Sequence, residues 1–465
     1  MGIAANLFFS TSDLENCLDW RIRPSDEQYE AQKERWNDLR DFLLADLAQS
    51  ADCPMASWLQ GSYKFGTQIR PAQKGQEFDI DLGVYFQWSG NPDDGPHAPV
   101  ELKAFVQTSL ASYCELEDND AEAVDEPRAR CSRVHFTEEF HIDVPAYHLD
   151  AKRDVRALAT ADDAWEISDP KAIYRWWKDS FTDLERARCR RIVRYLKMWG
   201  ALKFKDEERP SSILLTVLAA RAYLRLDRRK LTGDDEVFAA VVASMIDQLN
   251  KTFVVKNPAN GQENLNRLSE VHCRTFVDRL ADLHSIAERG LLAQTKLLAS
   301  DIWSEAFEHF FPVPSDEEIR EEALIKANDG GRAIARITFD PIVNVQASSK
   351  TRTFSDVNKI GPIPKGCEIT FGLGNAHLLP DGATVTWTVR NAGAEAENEN
   401  DLGHLAGEGT SVKRDSAYRG AHVMDVRVKL NGSLIGSRRI PVTVTGLGMP
   451  LRNPPRPSWT KLRAK

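Results

Sequence analysis

The chain has no Cys-x-x-Cys pair, no internal repeat, and no apolar run of the roughly 18 residues needed to cross a bilayer. Its seven cysteines (Cys17, Cys53, Cys114, Cys131, Cys189, Cys273 and Cys367) are scattered and odd in number, which argues against a disulfide framework and for reduced thiols in a cytoplasm. The opening residues MGIAANLFFSTSDLE lack the basic start of a secretory leader, and Asn6 stands where a myristoylation signal needs Ser or Thr. The balance of charge is acidic. With 60 Lys and Arg against 69 Asp and Glu, the net charge of -9 disfavours a long nucleic acid partner but leaves a nucleotide open. Gly372-Leu373-Gly374 lacks the third glycine of a dinucleotide fingerprint. These absences together lead us to expect a soluble, cytoplasmic protein with no membrane partner.

What is present is ordinary globular composition, 42% hydrophobic and 28% charged, in a chain of 465 residues that is too long for one core. A capping box from Ser25 to Gln28 opens a helix whose Tyr29, Trp36, Leu39, Leu43 and Leu47 recur at helical spacing. A second helix is expected over Val100–Leu116, an acidic loop over Glu117–Pro127, strands over Ala129–Phe136 and Phe140–Tyr147, and a Trp-rich loop around Trp165, Trp176 and Trp177. The chain then reads as helical to about Pro314. Beyond Gly331 come short alternating runs, with Asn431-Gly432 as a type I′ hairpin signal and Trp387 as a core anchor. The expected division is a catalytic core over 1–180, a helical lobe over 181–314, a helical linker over 315–332, a β-sandwich over 333–446 and a basic tail over 447–465. The fold class is a mixed α/β core with a helical second lobe and a C-terminal all-β, immunoglobulin-like sandwich.

The functional reading centres on LQGSYKFGTQIRPAQKGQEFDIDLGVYF, Leu59 to Phe86. On a strand, Asp79 and Asp81 share one face while Phe78, Ile80 and Leu82 share the other. Two carboxylates about 4 Å apart repel by about 4 kcal/mol at an effective dielectric near 20. No Lys or Arg alternates with them on their own strand, so the relief must come from elsewhere. A hard divalent cation with oxygen ligands suits that role. Alternation of Phe140, Ile142 and Val144 places His141 and Asp143 on the opposite face of their strand, which offers a third carboxylate. A D-x-D strand alone is often a solvated face, but Gly61-Ser62 upstream and Asp143 on a neighbouring strand favour metal binding. The Gly61 and Ser62 amides and the Ser62 hydroxyl could hold terminal phosphates, because glycine lets the backbone approach closely. His141 and Glu77 read as polar neighbours of the carboxylates, and Arg190 and Arg194 as structural charges. If Asp143 pointed away from Asp79 and Asp81, or a lysine or arginine head group lodged among them, the case for phosphoryl chemistry would collapse.

At these residues the sequence resembles the polymerase-β-like nucleotidyltransferases, and within them the bacterial cyclic-oligonucleotide synthases related to cyclic GMP-AMP synthase, the CD-NTase or SMODS family. GSYKFGTQIRP with FDIDLGV resembles the family's donor-phosphate loop and first metal strand, and FHIDVPAY its third-carboxylate strand. RRIVRYLKMWG, PSSILLTVL and NPANGQENL are similar to later elements of the same domain. TVTWTVRNAG and YRGAHVMDVRVKLNG resemble the C-terminal sensor domain found beside such enzymes. The resemblance implies that Asp79, Asp81 and Asp143 hold two magnesium ions, with manganese as a substitute, and that Asp143 helps to deprotonate an acceptor 3′-hydroxyl. It also implies that Ser62, Lys197 and Ser212 contact the triphosphate, with Gln60, Gly61 and Thr67 in the same nucleotide-binding segment. Ile213 stands where relatives often carry a base-stacking aromatic.

The implied activity is synthesis of a cyclic or short linear oligonucleotide from nucleoside triphosphates, ATP foremost, with release of pyrophosphate. The product would be read by a separate effector protein in anti-phage signalling, with a ligand of the C-terminal domain as a further partner. Two other readings stay open: nucleotide transfer to an RNA end, small molecule or protein, and a catalytically silent nucleotide sensor.

Overall fold

A computed structural model describes residues 2–14, 16–117, 119–136, 140–315, 317–322, 338–349 and 352–446. The expected basic tail (447–465) lies outside these residues, as does the end of the expected linker (323–332). The chain folds as two compact units. Residues 1–307 and 311–315 form the first, and Glu308–Phe310 with the described residues beyond 316 form the second.

In the first unit, α1 (Ala5–Phe8) and α2 (Leu18–Ile22) precede α3 (Asp26–Ser50), which starts at Ser25 with both arms of the expected capping box formed. Strand β1 (Met55–Gln60) runs into the one-turn helix α4 (Gly61–Phe65) and returns as β2 (Phe78–Gln87), its antiparallel neighbour. After α5 (Pro99–Cys114) come β3 (Ala121–Val124), β4 (Ser132–Phe136), β5 (Phe140–Val144), β6 (Ala146–Asp150), β7 (Val155–Ala159) and β8 (Trp165–Ile167). Strands β5 and β6 both run parallel to β2 in one continuous register, Asp81 opposite Asp143 and Val84 opposite Ala146. Pro145, which has no N–H to donate, interrupts them. The eight strands form one mixed sheet.

One face of this sheet is apolar. Phe78, Ile80, Leu82, Val134, Phe140 and Ile142 pack there under Leu39, Leu43 and Leu47 of α3 and Leu102, Val106 and Leu110 of α5. Burying that face fixes the other as polar, because a one-residue slip would exchange the two.

Two expectations are corrected here. Residues 121–124 of the expected acidic loop form β3, paired to β4, because backbone pairing at a sheet edge tolerates outward-facing acidic side chains. The expected Trp-rich loop contains α6 (Pro170–Asp179), capped by Asp169, with Trp177 fully buried. Then follow α7 (Asp183–Lys203), α8 (Ser212–Arg225), α9 (Asp234–Lys251), α10 (Glu270–Leu291) and α11 (Lys296–Phe307). Phe8 of α1 is wholly buried against Tyr195, Phe238, Trp303, Phe307 and Phe311, so the N-terminal segment closes the helical core. No helix among the described residues is long and apolar enough to cross a membrane.

The second unit has a four-stranded and a five-stranded sheet whose facing side chains share one core, including Val345, Phe371, Trp387, Val426 and Ile440. Trp387 is fully buried and donates its indole N–H to the Gly409 carbonyl at 2.7 Å. Asn431 and Gly432 both have positive φ, 51° and 78°, as a type I′ turn requires.

Candidate active site

The polar face of the sheet carries ordered rows of side chains. His135 on β4 and Asp79 on β2 each pair with His141 on β5, and one step along, Arg133, Asp143, Asp81 and Gln60 form the next row across β4, β5, β2 and β1. Alternation placed each carboxylate on this face. The register places Asp81 directly beside Asp143. Asp79, His141 and Asp143 present possible ligand atoms within 4.8 Å of one another.

Gly61 turns the chain from β1 into α4 at the edge of this cluster. Its φ is +55°, and a Cβ there would stand 1.7 Å from Asp81 Oδ2, so only glycine fits both the backbone and the space. A basic stripe on α7 then holds the loop that follows. Arg190 Nε donates to the Phe65 carbonyl at 2.8 Å, Arg194 Nη1 to Gly66 at 2.7 Å and Lys197 Nζ to Thr67 at 2.9 Å. Spacings of four and three put these charges on one helix face, where they meet three successive carbonyls.

The electrostatics are those of crowded carboxylates. Burial, then the charges of Asp79 and Asp143, push the Asp81 carboxyl well above the usual carboxylate value. Burial also opposes charge on Asp79, but the hydrogen bond from His141 and the charges of His141, Arg133 and Lys197 outweigh it and hold Asp79 low. Burial works against charge on His141 too, yet its hydrogen bond to Asp79 keeps its pKa raised. Burial lowers the Lys197 ammonium to about 8 although Asp79 and Asp81 oppose the change.

Arg133 was not anticipated. It occupies both oxygens of Asp143, Nε to Oδ1 at 2.5 Å and Nη2 to Oδ2 at 2.8 Å. The expectation that no basic head group sits among the carboxylates is therefore corrected, because antiparallel pairing brings Arg133 opposite Asp143. Alternation of Arg133 and His135 with Val134 and Phe136 could have placed both on the polar face, but not in this row. Even with Arg133 and Lys197 nearby, burial and the charges of Asp79 and Asp143 disfavour Asp81 as an anion, a penalty that a bound hard cation would relieve.

Two clefts border the carboxylates, one at Asp79 and the other at Asp81 and Asp143. One, of 170 Å³, is lined by Ser62, Asp79, Lys197 and Ser212 together with Arg209. The other, of 330 Å³, is lined by Gln60, Gly61, Asp81, Asp143, Ile213, Asn257, Glu263 and Arg267. Ser212 is the first residue of α8, which Ser211 caps. The Gln60 side chain lies between Tyr85, to which its amide donates at 3.0 Å, and Tyr147, whose hydroxyl donates to it at 3.1 Å. Thr67, expected at the nucleotide, is 1% exposed and lines neither cleft. It serves Lys197 through its carbonyl instead.

Residues 55–147 match the family model for the cyclic GMP-AMP synthase DncV-like nucleotidyltransferase domain, and residues 316–445 that for the adenylyl/guanylyl and SMODS C-terminal sensor domain. The chain carries a DncV-like nucleotidyltransferase domain. Among curated relatives, a cyclic GMP-AMP synthase of Escherichia albertii is 28% identical over 95% of this chain and 96% of its own. A c-di-GMP synthase of Roseivirga ehrenbergii is 24% identical over 55% of this chain and 74% of its own. Among solved structures, the DncV cyclic AMP-GMP synthase of Vibrio cholerae in complex with nonhydrolyzable GTP superposes with a TM-score of 0.56 at 19% identity, covering 68% of this chain and 98% of that one. That likeness establishes the DncV-like fold. The carboxylate rows lie within the matched segment of the DncV-like domain: Asp79, Asp81, Arg133 and Asp143 all fall between residues 55 and 147.

Proposed function

We propose that the chain is a metal-dependent nucleotidyltransferase that joins nucleoside triphosphates into a cyclic oligonucleotide and releases pyrophosphate. The observation that carries this reading is the in-register convergence of Asp79, Asp81 and Asp143 against the backbone of Gly61, bordered by two clefts. Similarity along nearly the whole length to a cyclic GMP-AMP synthase supports a cyclic product.

Asp79, Asp81 and Asp143 would hold two magnesium ions, which supply charge neutralisation for the phosphates and acidify the attacking hydroxyl. Lys197, Ser62 and Ser212 would bind the triphosphate from the wall of the smaller cleft. Arg190, Arg194 and Lys197 hold the loop of residues 65–67 in place, so the phosphate donors are positioned before substrate arrives. Asp143 borders the larger cleft, where it would accept the proton of an acceptor 3′-hydroxyl once Arg133 releases an oxygen. Ile213, aliphatic and on the same cleft, would pack against a base without stacking on it.

The C-terminal domain would sense a small ligand in a 90 Å³ cavity bordered by Asp401, His404, Arg414, Tyr418 and His422. A separate effector would read the product in anti-phage signalling, in a cytoplasmic setting.

Incubation with labelled nucleoside triphosphates and magnesium tests the central claim. A phosphatase-resistant product that disappears in Asp79→Ala with Asp81→Ala supports it. Product only when an RNA, protein or small-molecule acceptor is added would favour transfer to that acceptor.

A further inference from the structure

We propose that Glu77, His135 and His141 form a second metal site, for one transition-metal ion of the zinc class, beside the catalytic carboxylates and joined to them through His141. His135 and His141 are direct cross-strand partners on β4 and β5, and Glu77 immediately precedes β2 on the same face. Glu77 Oε2 lies 3.0 Å from His135 Nδ1 and 2.7 Å from His141 Nδ1, and all three ligand atoms fall within 4.8 Å of one another. Around a tetrahedral ion with arms of about 2.0–2.1 Å, donors stand roughly 3.3 Å apart, so the three need small shifts to share an ion. Two imidazoles and a carboxylate suit zinc or cobalt, whereas the neighbouring all-carboxylate cluster suits magnesium.

The far side of each ring supplies an independent argument. His135 Nε2 lies 3.0 Å from Asp125 Oδ1, and His141 Nε2 lies 3.0 Å from Asp79 Oδ1. A carboxylate on the distal nitrogen is the arrangement that orients metal-bound histidines. An ion held by both Nδ1 atoms would take their lone pairs and leave both Nε2–H groups to donate to Asp125 and Asp79. The side chains of Glu77, His135 and His141 are 35%, 24% and 10% exposed, so an ion can enter from solvent. Through His141 the ion would also hold Asp79 in one orientation, a consequence that rests on the proposed role of Asp79 whereas the site itself does not.

The test titrates the full-length, metal-free chain with Co²⁺ alone, without nucleotide. The expected result is the visible absorption of four-coordinate cobalt, displaced by Zn²⁺, weakened at least about a hundredfold by His135→Ala or Glu77→Gln, and retained in Asp81→Asn with Asp143→Asn. His135→Cys restores binding and adds a thiolate charge-transfer band, which separates loss of a ligand from loss of the fold. Absence of the cobalt spectrum in the unaltered chain overturns the site. So does a spectrum that survives His135→Ala, or one lost only with Asp81 and Asp143.

Discussion

Arg133 faces Asp143 across the β4–β5 pair and takes both of its carboxylate oxygens, at 2.5 and 2.8 Å. Asp79 and Asp81, one strand over, have no arginine in hydrogen-bond contact among the described residues. The third carboxylate is therefore held by a group that would compete with a bound cation. Arg133→Ala should lower the magnesium concentration that gives half-maximal activity by about three- to tenfold, since removing a neighbouring positive charge favours cation binding. Activity measured against magnesium concentration checks this, and an unchanged midpoint would mean that Arg133 does not compete.

Gly61→Ala should abolish most activity while leaving the core folded. The added methyl would enter the space of Asp81 Oδ2, and the positive φ costs about 1–2 kcal/mol for any other L-residue. If Asp81 holds a catalytic ion as proposed, displacing it by about 1 Å would cost on the order of a hundredfold in rate. Turnover and circular dichroism on the same preparation would separate the two effects.

If Lys197 binds the triphosphate as proposed, it should set a pH dependence for nucleotide binding. Burial lowers its pKa to about 8, so its charge is present below that pH and lost above it. The KM for nucleoside triphosphate should rise as pH passes about 8 in the unaltered chain. In Lys197→Ala, KM should be raised at every pH and lack that rise. Parallel curves for the two proteins would remove Lys197 from phosphate binding.

Asp81 should destabilise the metal-free chain at neutral pH. Burial, together with Asp79 and Asp143, raises its carboxyl in the folded state, so folding favours the protonated form. The penalty is absent below the unfolded pKa of about 4, grows as pH rises toward the folded value, and is complete above it. Asp81→Asn should accordingly raise the Tm at pH 8 in the presence of a chelator, and the gain should vanish near pH 4. Added magnesium should stabilise the unaltered chain more than the variant.

In the second unit, Arg390 and Asp425 form a buried pair, Nε to Oδ2 at 2.5 Å, with the two residues 6% and 3% exposed. Asp425→Ala removes the buried carboxylate that faces both Arg390 and Arg439, and should destabilise this unit by about 3–5 kcal/mol. Denaturant unfolding measures that loss. Exchanging both partners for apolar residues of similar volume should cost much less.

The sequence alone determined what depends on neighbours along the chain. Period-two alternation put Asp79, Asp81 and Asp143 on polar strand faces, the Ser25–Gln28 box started α3, and Asn431-Gly432 made its turn, since each is decided within a few residues. Tertiary structure decided which of these faces meet. Sheet register set Arg133 against Asp143 and His135 against His141, and α7 docking brought Arg190, Arg194 and Lys197 onto the carbonyls of residues 65–67. Phe8 reached its five aromatic partners in the same way. The physical reason is that register and docking minimise the exposure of whole apolar faces, a sum over distant residues that no local pattern records.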